Sequence, residues 1–187
     1  MTDTTSPLEG THREVGRRRI AAGEARTALL RRRYDASIQD VWDACTDPDR
    51  INRWLLPVSG DLRPGGTFSV EGNASGEILR CQPPRLLTLT WVYGDRPADE
   101  VELRLSEDGD GRTVLELEHA SVCDTAPDGV SDAILGVGSG WDLPLCLSLP
   151  MYLRGELPDA PAVDWYQPTP EHLELAERSG RAWAAML

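Results

Sequence analysis

The chain has 187 residues, 40% hydrophobic and 27% charged, which suits one packed domain with an appendage and argues against wholesale disorder. Its net charge of −12 is uneven: residues 1–36 hold eight arginines against five acids, while residues 37–187 hold eleven against 26, so the body is acidic and no nucleic-acid partner is expected. All 19 basic residues are arginine, which excludes Schiff-base lysine chemistry, a phosphate-loop lysine and a lysine general base, and leaves His12, His119 and His172 as the imidazoles.

Residues 1–10 read as disordered, and they lack the apolar run of a signal peptide. No stretch approaches the ~20 apolar residues of a membrane span. A cytoplasmic location is the default, with no membrane partner. Thr11–Tyr34 reads as a hairpin turning at Ala22-Gly23, with Thr27–Tyr34 the better strand. The runs Arg17–Arg19 and Arg31–Arg33 fit a solvated strand face answering the acidic body, or else a local anion-binding patch. Ser37 can cap a helix, with Asp40 in the place of a capping-box acid and Ile38, Val41 and Trp42 on one face. Asp47-Pro48 breaks that helix and starts a second through Trp54. A loop at Pro57 and Gly60 follows.

Five strands come next. In Thr67–Glu71, Phe68 and Val70 alternate with polar residues. Gly76–Cys81 is ended by Pro83-Pro84. Leu86–Tyr93 puts Leu87, Leu89, Trp91 and Tyr93 on one side. Glu100–Leu105 and Thr113–Val122 set Val101, Leu103, Leu105, Leu115, Leu117 and His119 opposite charged residues. Period-two alternation with one charged face marks antiparallel strands with one face to water. Asp124–Asp132 is a polar loop before a long uncharged stretch. Residues 143–149 alternate as a strand would, yet Trp141, Leu145, Leu149, Tyr152 and Leu153 fall at helical spacing. Periodicity leaves both readings open, and a helix there would be kinked at Pro144 and Pro150. Residues 158–168 form a Pro-rich linker. Pro170–Leu187 reads as a terminal helix with Leu173, Ala176 and Trp183 on one face. Trp183 and Leu187 have no assigned partner, which allows either a homodimer or a fold back onto the chain's own sheet.

The four cysteines Cys45, Cys81, Cys123 and Cys146 are widely spaced with no CxxC pair. They read as reduced, mostly buried thiols, and neither a metal nor a cofactor is expected. Asp108-Gly-Asp-Gly lacks the closing Glu of a calcium loop. Gly136-Val-Gly-Ser-Gly follows no parallel strand, as a phosphate loop would, and Gly138-Ser-Gly lacks the spacing of a nucleophile elbow.

Four phrases in order resemble one family. They are SIQDVWDACTDPDRINRWLLPV (37–58), GDLRPGGTFSV (60–70), GEILRCQPPRLLTLTW (76–91) and GWDLPLCLSLPMYL (140–153). They resemble the family named after the activator of the 90-kDa heat-shock protein ATPase, within the START-like (SRPBCC) superfamily, over roughly residues 27–155. The resemblance implies an α+β helix-grip fold. A curved antiparallel sheet wraps a long C-terminal helix, with two short helices after the first strand. It turns 140–155 into that helix and implies a helix-grip domain over 11–157, with 158–187 as linker and terminal helix.

The resemblance also implies a cavity between the sheet's concave face and the helix. Its expected lining is Phe68, Val70, Leu89, Trp91, Val101, Leu103, Leu117, His119, Trp141, Leu145, Leu149 and Tyr152, with Trp42 and Trp54 near the mouth. Such a cavity suits an apolar or aromatic small molecule with one or two polar anchors; the plain alternative is that these are ordinary core residues. His119 is either a satisfied core histidine or a polar anchor or general base helped by Tyr93 or Tyr152. Three functions follow: a small-molecule binding domain without chemistry of its own, a co-chaperone-like regulator of a heat-shock ATPase, or a cyclase- or hydrolase-type enzyme using the cavity. No catalytic dyad stands at recognisable spacing.

Overall fold

The computed structural model describes residues 6–125, 129 and 132–187. Eight antiparallel strands form one sheet in the order β1-β2-β8-β7-β6-β5-β4-β3. They are β1 (Thr11–Ile20), β2 (Gly23–Tyr34), β3 (Val58–Gly60), β4 (Thr67–Val70), β5 (Ser75–Gln82), β6 (Leu86–Trp91), β7 (Asp99–Glu107) and β8 (Thr113–Ser121). The helices are α1 (Ile38–Thr46), α2 (Pro48–Ile51), α3 (Ala133–Leu143), α4 (Leu149–Leu153), α5 (Ala162–Trp165) and α6 (Pro170–Ala184). A π-helical segment, Pro144–Ser148, joins α3 to α4. This is the helix-grip arrangement expected from the sequence.

The β1–β2 hairpin pairs Ile20 with Gly23, so its two-residue turn is Ala21-Ala22, one position earlier than expected. Ser37 caps α1 by accepting from the Asp40 amide. The Asp40 carboxylate does not close a capping box; it pairs with Arg50 at 2.7 Å. Asp47 caps α2 through the Asp49 amide, with Pro48 in the first turn, and α2 stops at Ile51 rather than Trp54. β3 falls where a loop was expected, because three residues are too few for alternation to register.

Alternation places Val101, Leu103 and Leu105 of β7 and Leu115 and Leu117 of β8 on the concave face, all buried. The opposite face carries cross-strand ion pairs. Arg18 reaches Glu118 at 2.7 Å and Glu100 at 3.0 Å, Arg31 reaches Glu116 at 2.7 Å, and Arg104 spans Glu102 and Glu116. This face accounts for Arg18 and Arg31 of the two arginine runs.

The helical run Ala133–Leu153 crosses the concave face. Its 21 residues have a mean hydropathy of 1.2, so by length and composition alone it could cross a membrane, contrary to the expectation that no stretch would. In this fold Leu145 and Leu149 are buried in the core instead, and so is Asp142. The run also begins earlier than the expected Gly140, capped by Asp132, whose side chain accepts from the Ile134 amide and pairs with Arg26 at 2.7 Å.

Pro144 and Pro150 explain the π segment. Neither has an N–H to give. The Leu149 N–H reaches back five residues to the Pro144 carbonyl. The Leu145 carbonyl is taken by the Tyr34 hydroxyl at 2.7 Å. A π turn absorbs one extra residue, so the helix beyond it is rotated by roughly 100° relative to an unbroken α-helix.

α6 lies on α3. Its buried face is Leu175, Ser179 and Trp183, while the expected Leu173 is exposed. Ser179 disguised that face, because its polar side chain is buried in a hydrogen bond to Asp142 at 2.6 Å. Trp183, considered for a dimer contact, is fully buried within its own chain. Its ring rests on Gly138, where an added Cβ would stand 2.3 Å from the indole. Of the residues expected to be disordered, 1–5 lie outside those described. Residues 6–10 instead include a turn that buries Leu8 beside Cys146 and Leu175.

Candidate ligand-binding cavity

Between the concave face, the α1–α2 corner and the helix lies a hollow of about 930 Å³, counting its open mouth. Its floor is Leu87, Leu89, Trp91, Val101, Leu103 and Leu117 of β6, β7 and β8; Phe68, Val70 and Ile78 close one side, and Trp141 and Leu145 cover it. Cys45, Thr46, Pro48, Ile51, Trp54 and Leu55 form the corner, and Val58–Leu62 the rim. The Trp54 indole is held by a 2.9 Å hydrogen bond to the Ala44 carbonyl.

The lining is almost wholly apolar. The Thr46 hydroxyl is turned to the Trp42 carbonyl at 2.7 Å. Burial pushes the Cys45 thiol up to about 12, against a smaller opposing pull from Arg50, so at neutral pH it is a protonated, inert group. Aromatic rings run along the wall, with Phe68 and Trp91 centroids 6.0 Å apart and Trp91 and Trp141 5.3 Å apart at 59°.

Most of the expected lining residues meet here: Trp54, Phe68, Val70, Leu89, Trp91, Val101, Leu103, Leu117, Trp141 and Leu145. Four do not. Trp42 and Leu149 are buried in the surrounding core. The Tyr152 hydroxyl accepts from Arg50 Nε at 2.8 Å, and its ring lies under Arg50 and Arg53. Leu149 and Tyr152 lie beyond the π segment and do not line the cavity that Trp141 and Leu145 cover. Ile51, Leu55 and Val58–Leu62 were not anticipated, because they lie in short or irregular segments without periodicity. Leu87 was legible, since it alternates with Leu89 and Trp91.

His119 borders a second hollow on the far side of Trp91 and Trp141. The Trp141 indole can only donate, and it does so to His119 Nδ1 at 3.1 Å. The proton therefore sits on Nε2, 3.1 Å from Asp99 Oδ2. The Val122 amide donates to Asp99 Oδ1 at 3.1 Å. Both imidazole nitrogens are occupied, in the manner of a satisfied core histidine. Neither Tyr93 nor Tyr152 hydrogen-bonds it. Among the described residues, no group of three or more His, Cys, Asp and Glu could hold a metal ion.

Residues 35–147, well over half the chain, match the family model described as activator of Hsp90 ATPase homolog 1-like protein. The chain belongs to this family. CalU16 from Micromonospora echinospora is 48% identical to it, with a TM-score of 0.80 over 95% of this chain and 98% of that one. PFC0360w, an HSP90 activator from Plasmodium falciparum, is 19% identical, with a TM-score of 0.56 over 62% of this chain and 86% of that one. DynU16, from the dynemicin biosynthetic locus, is 22% identical, with a TM-score of 0.60 over 72% of this chain and 49% of that one. These last two share the fold. No curated protein matches the chain. The Hsp90 activator family match takes in α1, most of the sheet and the first part of the core helix, and leaves out β1, β2 and α6.

Proposed function

We propose that the chain is a binding domain for an apolar, aromatic small molecule held between the concave sheet and the core helix. The observation that carries this reading is the cavity's wall, which is almost wholly apolar and presents the rings of Phe68, Trp54, Trp91 and Trp141. A domain packed only for stability fills such a space with side chains. Family membership supports a ligand-binding domain at that level.

Native mass spectrometry of the purified chain, followed by organic extraction, tests the proposal. A co-purified apolar molecule, displaced in a Leu103→Trp variant that fills the cavity, is the expected result. Failure of the wild type to retain or take up any member of a panel of aromatic probes would overturn it. A catalytic reading would need a free base, and the candidate His119 has both nitrogens engaged. The co-chaperone reading draws on the family description alone; stimulation of a heat-shock ATPase by the purified chain would establish it.

A further inference from the structure

We infer that the hollow beside His119 is a second subsite of the same ligand site, built for the neutral hydroxylated end of an elongated aromatic molecule. This rests on the binding role proposed for the apolar cavity. The two hollows adjoin: Leu55, Val70, Trp91 and Trp141 line both. The apolar cavity has almost nothing with which to orient a ligand. The second differs in kind, being bordered by Asn73, Tyr93, Arg96, Asp99, His119 and Ser121.

The chemistry of these groups selects the head. Each Asp99 oxygen accepts one protein hydrogen bond, from Val122 or from His119, and an ionised carboxylate has lone pairs beyond those two. Asp99 can thus take a proton donor from a ligand. Arg96 is anchored through one nitrogen on the Thr125 carbonyl and is a donor in the same hollow. Its positive charge offsets that of Asp99, and His119 as bonded is neutral. An anionic head would meet the Asp99 carboxylate, and a cationic one would meet Arg96. A hydroxyl, which donates and accepts, answers both. The Trp141–His119–Asp99 chain fixes the carboxylate and the dividing indole together, so the subsite is organised before a ligand arrives.

The test compares 4-phenylphenol with its methyl ether, 4-methoxybiphenyl, by isothermal titration calorimetry on the full chain. The phenol binds about ten-fold tighter, the worth of one hydrogen bond to a charged group. Asp99→Leu removes that preference while the ether binds as before. Because Asp99→Leu also releases His119, a second variant is needed. Gly140→Leu serves, since Gly140 borders this hollow and a Cβ there meets nothing within 4 Å. It occupies the subsite, leaves the apolar cavity intact and likewise erases the preference. Equal affinity of the wild type for both probes, or a preference that survives both variants, overturns the subsite and leaves the cavity standing. Binding of neither probe overturns the cavity reading and the subsite with it.

Discussion

Tyr34 does the work of a missing backbone donor. Pro150 cannot complete a helical hydrogen bond, Leu149 gives its own N–H to Pro144, and the buried Leu145 carbonyl turns to the Tyr34 phenol at 2.7 Å. Burial raises the Tyr34 phenol well above its ordinary pKa, so it remains a donor across the physiological range. Tyr34→Phe keeps the ring and strands the carbonyl. We expect a loss of about 1–3 kcal/mol in urea unfolding, the cost of one buried unsatisfied polar group. A neutral substitution would mean that the carbonyl finds water or another donor. Nothing in the local sequence of β2 pointed to this bond. The two prolines announced that the helix would lose hydrogen bonds, but the donor that answers is 111 positions from the Leu145 carbonyl it serves.

The element that sequence reading misjudged most is α6. Its apolar stripe was assigned through Leu173, whereas the buried line runs Leu175–Ser179–Trp183. The reason is Asp142, a fully buried carboxylate on the core helix. It accepts from Ser179 at 2.6 Å and the Trp183 indole at 2.9 Å, and it pairs with Arg13 of β1 at 2.8 Å. A polar residue on a buried face becomes readable only when its partner is known. The glycine-rich run Gly136–Gly140, which fits no phosphate loop, gains a role in the same contact, because Gly138 leaves room for the Trp183 ring. Asp142→Ala should cost about 3–5 kcal/mol, because it leaves Arg13 buried without a counter-charge. Gly138→Ala should free α6 despite the better helix propensity of alanine. Hydrogen exchange would show protection lost along 170–184; unchanged protection in both variants would mean that α6 is held by other contacts. The sheet, by contrast, was legible nearly strand by strand, since each long strand carries its own inside–outside alternation. The cavity was legible as far as Leu145; Leu149 and Tyr152, which helical spacing put on the same line, do not border it.

Across the whole molecule the excess of acid is partly spent in pairing. Partial burial alone would raise the Glu116 carboxyl, but hydrogen bonds and charge from Arg31 and Arg104 override it and hold the group below the ordinary carboxylate value. Arg26 does the same for Asp132 at the start of α3. A depressed folded value means that these pairs contribute stability above the unfolded pKa and lose it as pH falls through the folded one. The urea midpoint should therefore fall between about pH 5 and about pH 2. Glu116→Gln should be up to about 1 kcal/mol less stable than wild type near neutrality and indistinguishable from it once the wild-type carboxyl is protonated. A difference that stays constant with pH would assign the effect to packing instead of charge.

The Arg13–Asp142 pair has a consequence for biosynthesis. Arg13 leaves the ribosome 129 positions ahead of its counter-charge, and Ser179 and Trp183 follow Asp142 by a further 37 and 41. β1 and β2 can zip early, but the concave side of that hairpin has no core helix to hold until residues 133–153 have emerged. The site around Asp142 is complete only once 170–184 have emerged, when first strand and last helix meet on a single carboxylate.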